Sequence, residues 1–290
     1  KLAAAAQTNP LQALDNLARA YIEQRYEQAV DAKTIAEQMM PVLDAVAGEG
    51  VAMQVLSHST LRLQIGTVRC VDRGLASDSL RAQKNAFVRA FAANMCSRKQ
   101  LTSFMQRVVF CDPRSADAIV DDSCIASLRV ELSEQNFETA LLASGSLPVY
   151  MQGVTDIPSA PRGVYRDGGL LDYHPVAKQV EFKSDLAANL VLYPHFFPKL
   201  TEGWLDKFLC WRNVNEARLA DVVLICPSEG FVRSLELGAI PDRKDFKTYG
   251  GRDDERMRLW REAFVKSEQL GDSFLELCAT GAIAQVVKPL

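Results

Sequence analysis

The chain has 290 residues, 48% of them hydrophobic and 24% charged, which is the composition of a globular protein with a sizeable core. Its 33 basic and 36 acidic residues give a net charge of −3, which shows no footprint for nucleic acid or an anionic membrane. The seven cysteines are scattered without a Cys-x-x-Cys pair, so we expect a reduced, cytoplasmic protein rather than a disulfide framework or a zinc site. No apolar run approaches the roughly 18 residues of a membrane span, so we expect no transmembrane segment.

Local signals predict the first elements of the chain. Asn9-Pro10 is typical of a helix start, with Asn as the cap and Pro in the first turn. A second helical pattern begins at Asp31, is kinked or restarted by Pro41, and ends at Gly48. Residues 61–65 alternate apolar and polar side chains, which predicts a half-buried strand.

The middle of the chain continues the alternation of helices and strands. Residues 80–95 carry apolar side chains at helical spacing and predict an amphipathic helix. Residues 107–111 predict a strand that ends at Asp112-Pro113, and residues 136–142 predict a helix. That helix runs into the small-residue segment 143–148, which ends in Pro148 and which a tight helix exit fully explains.

The last third contains two apolar runs and a charged helix. Residues 190–193 and 221–225 predict buried strands of the parallel type. Between them, residues 195–211 are unusually aromatic, and they either line or cover a pocket or form a satellite of the core. Residues 253–270 predict a surface helix with one charged face. Because no internal repeat or linker is visible, we expect one domain over residues 1–290.

Asp167-Gly168-Gly169 is the stretch with the clearest chemical content. Asp167 follows the short β-branched and aromatic run Val164-Tyr165, which predicts the end of a strand. The paired glycines allow a sharp turn with positive φ that leaves the carboxylate accessible. In open α/β sheets, ligands bind just outside the carboxyl ends of the strands. An ordinary Asp-Gly-Gly turn explains the same residues when they are taken alone.

The three histidines are weaker candidates. His58 lies between two serines, but a histidine in a turn is the simpler interpretation. His174 is close to Asp167 in sequence, yet a Ser-His-Asp triad needs a serine on an exposed elbow, and none is visible. His195 lacks any such context. We expect no metal site, because no His/Asp cluster has ligand spacing.

Several stretches together resemble the patatin-like phospholipase family, in particular its bacterial members. Asp167-Gly168-Gly169 followed by Pro175-Val176 is similar to the family's Asp-Gly-Gly segment. Segment 143–148, Ala-Ser-Gly-Ser-Leu-Pro, resembles the Ala-Ser-x-Ala-x-Pro run that precedes it. Residues 2–4 resemble the helix that follows the family's nucleophile elbow, and residues 240–246 are similar to C-terminal stretches of bacterial members.

The resemblance implies an α/β fold of three layers, with a central, mostly parallel sheet between helices. It also implies a serine lipid acyl hydrolase of the phospholipase or esterase type, which cleaves phospholipids or simpler acyl esters with a Ser-Asp dyad. Asp167 would be the catalytic base, and Gly168 and Gly169 would form its supporting turn. No cofactor or metal is implied. The expected partner is a lipid or acyl-ester substrate, with at most transient contact with a membrane surface, and the oligomeric state is left open.

Two departures from the family pattern affect the expected activity. The family commonly has Asn shortly before the proline, where this chain has Asp172-Tyr173-His174-Pro175. More importantly, no Gly-x-Ser-x-Gly and no Gly-rich oxyanion segment occurs in the 290 residues. In the family both precede the helix that begins here at Lys1. We therefore expect the C-terminal portion of a patatin-like domain, with residues 240–290 as a helical extension, that is inactive alone.

Two alternatives remain open at this point. The first is a non-catalytic descendant of the patatin-like fold that acts as a binding or scaffold module. The second is a domain related to the family only in fold. A Gly-x-Ser-x-Gly encoded just upstream of Lys1 would favour the enzyme over both.

Overall fold

The computed structural model describes residues 2–26, 32–115, 124–175 and 190–288, and these residues form a mixed α/β structure. The helices and strands alternate along the first two thirds of the chain, whereas the last third is mostly helical. The α-helices are α1 (Leu2–Ala5), α2 (Pro10–Ile22), α3 (Ala32–Ala47), α4 (Val51–Ser57), α5 (Arg73–Ala76), α6 (Leu80–Cys96), α7 (Glu134–Gly145), α8 (Glu229–Ser234), α9 (Lys244–Thr248), α10 (Asp253–Lys266), α11 (Glu268–Thr280) and α12 (Ile283–Val286).

The strands belong to a sheet of five strands and a separate pair. They are β1 (Gln64–Cys70), β2 (Met105–Cys111), β3 (Ser127–Glu131), β4 (Val154–Thr155), β5 (Val164–Asp167), β6 (Val191–Pro194) and β7 (Val222–Ile225). In the larger sheet the order is β3-β2-β1-β5-β4, and β6 pairs with β7. The α/β class expected from the sequence is therefore confirmed.

The larger sheet is mixed, so the expected mostly parallel sheet is wrong for the part of the chain that the structure describes. Only β2 and β3 run parallel, whereas β1 pairs antiparallel with β2 and with β5, and β4 pairs antiparallel with β5. The apolar composition of β2 is typical of a parallel strand, but it reflects burial on both faces. Such burial does not fix the direction of the neighbouring strands.

Helices cover both faces of this sheet, which explains the burial of its strands. On one face Ile65, Phe110 and Tyr165 share a core cluster with residues of α1, α4 and α7. On the other face Val68 and Met105 share a second cluster with residues of α5 and α6. Alternate side chains of β1 and β2 thus enter opposite clusters, and the patatin-like arrangement of layers stays a prediction.

Most of the predicted elements form where local signals were strong. The helix predicted from Asn9-Pro10 is α2, whose Asn9 Oδ1 accepts a 3.4 Å hydrogen bond from the amide of Gln12. The predicted helices at 80–95, 136–142 and 253–270, and the strand at 107–111, correspond to α6, α7, α10 and β2. Pro41 lies inside α3 without ending it. Asp31 and Val176 lie outside the described residues.

Two strand predictions are corrected in their details. The strand predicted at residues 61–65 begins only at Gln64 and continues to Cys70, so the alternating stretch is largely the approach to the strand. The strands predicted at 190–193 and 221–225 form, but they pair with each other and their side chains are half-buried or exposed. They are not buried strands of the larger sheet.

The chain divides into two compact units. The first contains Lys1–Tyr21, Val30–Tyr193 and Lys199–Val223, and the second contains Ile22–Ala29, Pro194–Pro198 and Leu224–Leu290. The single domain expected over residues 1–290 stays a prediction, as does its identity as the C-terminal portion of a larger fold.

The second unit is built mainly from helices, including α9 to α12 within residues 240–290. Its core joins Ile22 to Met257 and Trp260. The fully buried guanidinium of Arg256 lies near the rings of Phe246 and Trp260 and donates hydrogen bonds to the carbonyl oxygens of Ile22 (3.0 Å) and Gln24 (2.5 Å).

Among the described residues, no single helix is long and apolar enough to cross a membrane. The helix pair Thr34–Ala47 and Val51–Ser57, bent by 42°, meets the criteria of length and composition together.

Candidate functional site

Asp167 is the last residue of β5, and its side chain caps the short 3₁₀ turn Gly168–Leu170. Its Oδ1 atom accepts a hydrogen bond of 2.7 Å from the amide of Gly169. The residue is half-buried, which keeps the carboxylate at the boundary between the core and the surface. The carboxylate at a strand end that the sequence suggests is therefore present, with its orientation fixed by the turn itself.

Gly168 is required by space rather than by backbone conformation. The positive-φ glycines do not include Gly168 or Gly169, so the expected use of positive φ in this turn is wrong. A Cβ atom on Gly168 would lie 2.5 Å from the carbonyl oxygen of Gly66 in β1, closer than real Cβ contacts come. The turn after Asp167 can lie against β1 only because residue 168 has no side chain.

Segment 143–148 reaches the same point on β1. The carbonyl oxygen of Ser146 accepts a 3.2 Å hydrogen bond from the amide of Asp167. The hydroxyl of Ser144 donates a 2.8 Å hydrogen bond to the carbonyl oxygen of Gly66. The structure thus brings together the two segments that carry the strongest resemblance, although about twenty residues separate them in the sequence.

The two serines of segment 143–148 use their hydroxyl protons within the fold. Ser144 donates to Gly66 as described, and the buried hydroxyl of Ser146 donates a 2.8 Å hydrogen bond to the carbonyl oxygen of Leu142. A serine that attacks an ester must pass its proton to a base during the attack. The geometry of these two side chains is that of a helix end.

Behind the turn, Arg107 holds the segment that follows Asp167. Its guanidinium is fully buried and forms a two-pronged pair with Asp172, with hydrogen bonds of 2.7 Å from Nε and 2.8 Å from Nη2. It also donates to the carbonyl oxygen of Ile125. Two parallel hydrogen bonds between one arginine and one carboxylate fix both the position and the orientation of the carboxylate. Arg107 therefore positions Asp172, five residues after the candidate base.

Arg98 anchors the same segment from a second direction. Its Nη2 donates a 2.6 Å hydrogen bond to the carbonyl oxygen of Leu171, and its Nη1 donates a 3.0 Å hydrogen bond to Asp206. Asp206 is buried and also accepts a 2.7 Å hydrogen bond from the side-chain amide of Asn94. Two buried arginines thus tie the backbone after Asp167 to the rest of the first unit.

Arg166 fixes the strand on the side opposite to Asp167. Successive side chains of a strand point to opposite faces, and the fully buried guanidinium of Arg166 donates 2.8 Å hydrogen bonds to the carbonyl oxygens of Leu75 and Met151.

Nearby, burial raises the pKa of the Cys70 thiol to about 11. This cysteine therefore remains a thiol at neutral pH and is a poor nucleophile.

Each histidine has a local structural role. Nδ1 of the buried His174 accepts a 2.8 Å hydrogen bond from the amide of Thr201, which leaves the proton of the neutral ring on Nε2. Nδ1 of His58 accepts from the amide of Leu61 at 3.0 Å, as expected for a turn. His195 contacts the backbone of Phe197. Among the described residues, no three His, Cys, Asp or Glu side chains lie together in a group that could hold a metal ion.

A cavity of about 360 Å³ lies at the end of β1 and the start of β2, and Asp167 is not among its lining residues. Its polar lining consists of Arg69, Thr102, Gln106 and Arg107. Nε of Arg69 donates a 2.9 Å hydrogen bond to the side chain of Gln106. The cavity therefore meets the candidate site only through Arg107.

Sequence reasoning missed Arg98, Arg107 and Arg166, although all three organise the region around Asp167. Their signal in the sequence is weak, because an arginine within or beside a strand is ordinarily interpreted as a surface residue. The one usable hint is that Arg107 directly precedes the apolar run 108–110 and that Arg166 directly follows the run 164–165. Neither a protein-family model, nor a curated protein, nor a solved structure matches the chain.

Proposed function

We propose that these 290 residues are part of a patatin-like serine lipid acyl hydrolase in which Asp167 is the catalytic base. The observation that carries the proposal is the meeting of the Asp167 turn and segment 143–148 on the backbone of Gly66. This meeting supports the resemblance, because it brings the two motif-like segments into one site. A buried arginine framework then holds the chain after Asp167.

The proposed chemistry follows from a carboxylate fixed at the end of a strand. The carboxylate of Asp167 accepts the proton of a serine hydroxyl as the serine oxygen attacks the carbonyl carbon of the ester. Collapse of the tetrahedral intermediate breaks the bond to the alcohol, which leaves with the proton from Asp167. Water then hydrolyses the acyl-serine by the same sequence of steps. Since no Gly-x-Ser-x-Gly occurs among residues 1–290, the proposal assigns the nucleophile to sequence outside them.

The decisive experiment uses the protein encoded by the whole reading frame. Wild type should hydrolyse a p-nitrophenyl acyl ester and react with a fluorophosphonate probe, which labels activated serines. Asp167→Asn keeps the size of the side chain but weakens the base, so hydrolysis should fall at least about 1,000-fold with an unchanged circular dichroism spectrum. Asp254→Asn makes the same change at an exposed aspartate of α10, and this matched control should retain activity. Full activity of Asp167→Asn would remove Asp167 from the mechanism.

A binding or scaffold module is the second candidate, and the missing Gly-x-Ser-x-Gly is the observation that favours it. In that case the whole protein would show neither ester hydrolysis nor fluorophosphonate labelling. The isolated chain of 290 residues should be inactive under both hypotheses. Turnover by the isolated chain would contradict the assignment of the nucleophile to a residue outside it.

A further inference from the structure

Helix α6 leaves some of its large apolar side chains in solvent, whereas Phe87 and Phe91 are partly buried against the second core cluster. Val88, Phe91 and Met95 follow one another at helical spacing along one stripe, and Val88 and Met95 are 70% and 48% exposed. The face of α6 that is buried consists of small and polar residues, namely Gln83, Ala86, Ala90 and Asn94. The apolar stripe therefore borders the core face of this helix, with Phe91 partly buried and with Val88 and Met95 in solvent.

The last residue of the short 3₁₀ turn Trp204–Phe208 and the chain that follows it extend this apolar surface. Phe208 is 61% exposed, and its ring centroid lies 6.1 Å from that of Phe91. Trp211 is 63% exposed. Its neighbour Arg212 donates a 2.7 Å hydrogen bond to the carbonyl oxygen of Asn94, which ties residue 212 to the end of α6. We call Val88, Phe91, Met95, Phe208 and Trp211 the aromatic surface.

The charges around the aromatic surface are basic. Helix α6 contains Arg81, Lys84 and Arg89 and no acidic residue, and Arg89 is paired with Asp72 at 2.6 Å. Lys207 is also exposed, whereas the neighbouring Asp206 is buried and paired with Arg98. Arg81, Lys84 and Lys207 are thus the exposed cations beside the aromatic surface. Apolar side chains flanked by exposed cations are typical of surfaces that bind anionic lipid bilayers.

The aromatic surface is built on the same framework as the candidate site. Leu205, within the 3₁₀ turn, belongs to one core cluster with Leu170, the last residue of the Asp167 turn, and with Leu171, which follows it. The Nζ atom of Lys207 lies 3.4 Å above the ring of Tyr173. A bilayer that contacts Phe208 and Trp211 would therefore lie on the element that packs behind the Asp167 turn.

We propose that the aromatic surface and the cations beside it bind the chain to an anionic phospholipid bilayer. This inference rests on the proposed function, because it names the surface through which a lipid hydrolase would approach its substrate. Tryptophan and phenylalanine enter the boundary between headgroups and acyl chains, and lysines remain at the phosphates.

The test measures co-sedimentation of residues 1–290 with vesicles of phosphatidylcholine, with and without phosphatidylglycerol. Wild type should bind the anionic vesicles at least about tenfold more strongly, and salt should reduce that binding. The double variant Phe208→Ala/Trp211→Ala should lose about tenfold or more, since it removes two exposed aromatic groups. Leu11→Ala is the control, because Leu11 is also highly exposed but lies on α2.

A charge variant separates the two parts of the surface. Lys84→Glu/Lys207→Glu should abolish the preference for anionic vesicles and leave binding to phosphatidylcholine unchanged. Unaltered binding by the aromatic double variant, at an unchanged melting temperature, would overturn the proposal. So would dimers in sedimentation velocity that the same variant dissociates without any vesicle binding by wild type, because the surface would then bind a second copy of the chain.

This outcome can be distinguished from failure of the proposed function. Asp167→Asn should bind vesicles like wild type, since Asp167 is outside the aromatic surface. In the whole protein, Phe208→Ala/Trp211→Ala should hydrolyse a soluble short-chain ester at the wild-type rate and vesicle phospholipid at least about tenfold more slowly. If the wild-type whole protein hydrolyses the soluble ester but does not bind vesicles, the membrane proposal fails and the proposed function stands. If it binds vesicles but does not hydrolyse the ester, the proposed function fails.

Discussion

The surroundings of the Asp167 turn and the outer face of α6 distribute their side chains in opposite ways. Behind the turn, the charged groups of Arg98 and Arg107 are buried and paired with carboxylates. On α6, Val88 and Met95 lie in solvent. Each arrangement is unfavourable unless something compensates it. Behind the turn, the buried charges are compensated by their ion pairs within the molecule. The apolar side chains on α6 remain exposed, and the proposed bilayer would cover them.

The largest effect that tests this contrast is expected at Arg107. Arg107→Ala leaves Asp172 without its two-pronged partner and should lower the free energy of unfolding by about 3–5 kcal/mol in a urea titration. The matched control is Arg89→Ala, which breaks a more exposed pair with Asp72 and should cost less than about 1 kcal/mol. Equal losses would show that burial does not distinguish the arginine framework.

The next largest effect is expected at Gly168. Gly168→Ala brings a Cβ atom against the backbone of Gly66 and should cost about 3 kcal/mol, the upper end of the range for overpacking. Gly169→Ala is the control, because its Cβ would meet the Asp167 carboxylate at 3.0 Å and not a neighbouring strand. Urea titrations of both variants provide the measurement. A larger loss for Gly169→Ala would contradict the close approach of residue 168 to β1.

The smallest effects should come from the outer face of α6. Val88→Leu enlarges an exposed side chain and should change the free energy of unfolding by less than about 0.5 kcal/mol. Ala90→Leu places the same side chain in the buried face and should cost about 1–3 kcal/mol. Thermal or urea unfolding of the two variants decides the orientation of the helix. If their order is reversed, the apolar stripe belongs to the core.

Local signals were sufficient to predict α2, α6, α7 and β5, since caps, prolines and periodicity act over a few residues. The direction of the strands was beyond such signals, because pairing depends on residues far apart in the chain. The orientation of α6 was also beyond them. Its periodicity identifies a helix, but nothing local shows that the face with Ala86 and Ala90 is the one that packs.

Asp167 was selected from the sequence because the segments around it resemble the patatin-like family, whereas its Asp-Gly-Gly turn taken alone is ordinary. The reason for the glycine could not be predicted, since it lies in the distance to Gly66 on another strand. The arginine framework was missed for a related reason. Arg98 and Arg107 acquire their role only from carboxylates that lie more than sixty residues away in sequence.

The carbonyl group of Gly66 has a consequence for how the protein acquires its site. Ser144, 78 residues away, donates a hydrogen bond to it. The backbone of Gly168, which directly follows β5 and lies still further along the chain, packs against it. Contacts between such distant segments form slowly, because the chain between them loses conformational entropy before the contact contributes any stabilising free energy. Helices such as α2 and α6 can therefore appear early in folding, whereas the carboxylate of Asp167 reaches its final surroundings only when the sheet closes. A partly folded chain would then have no assembled site.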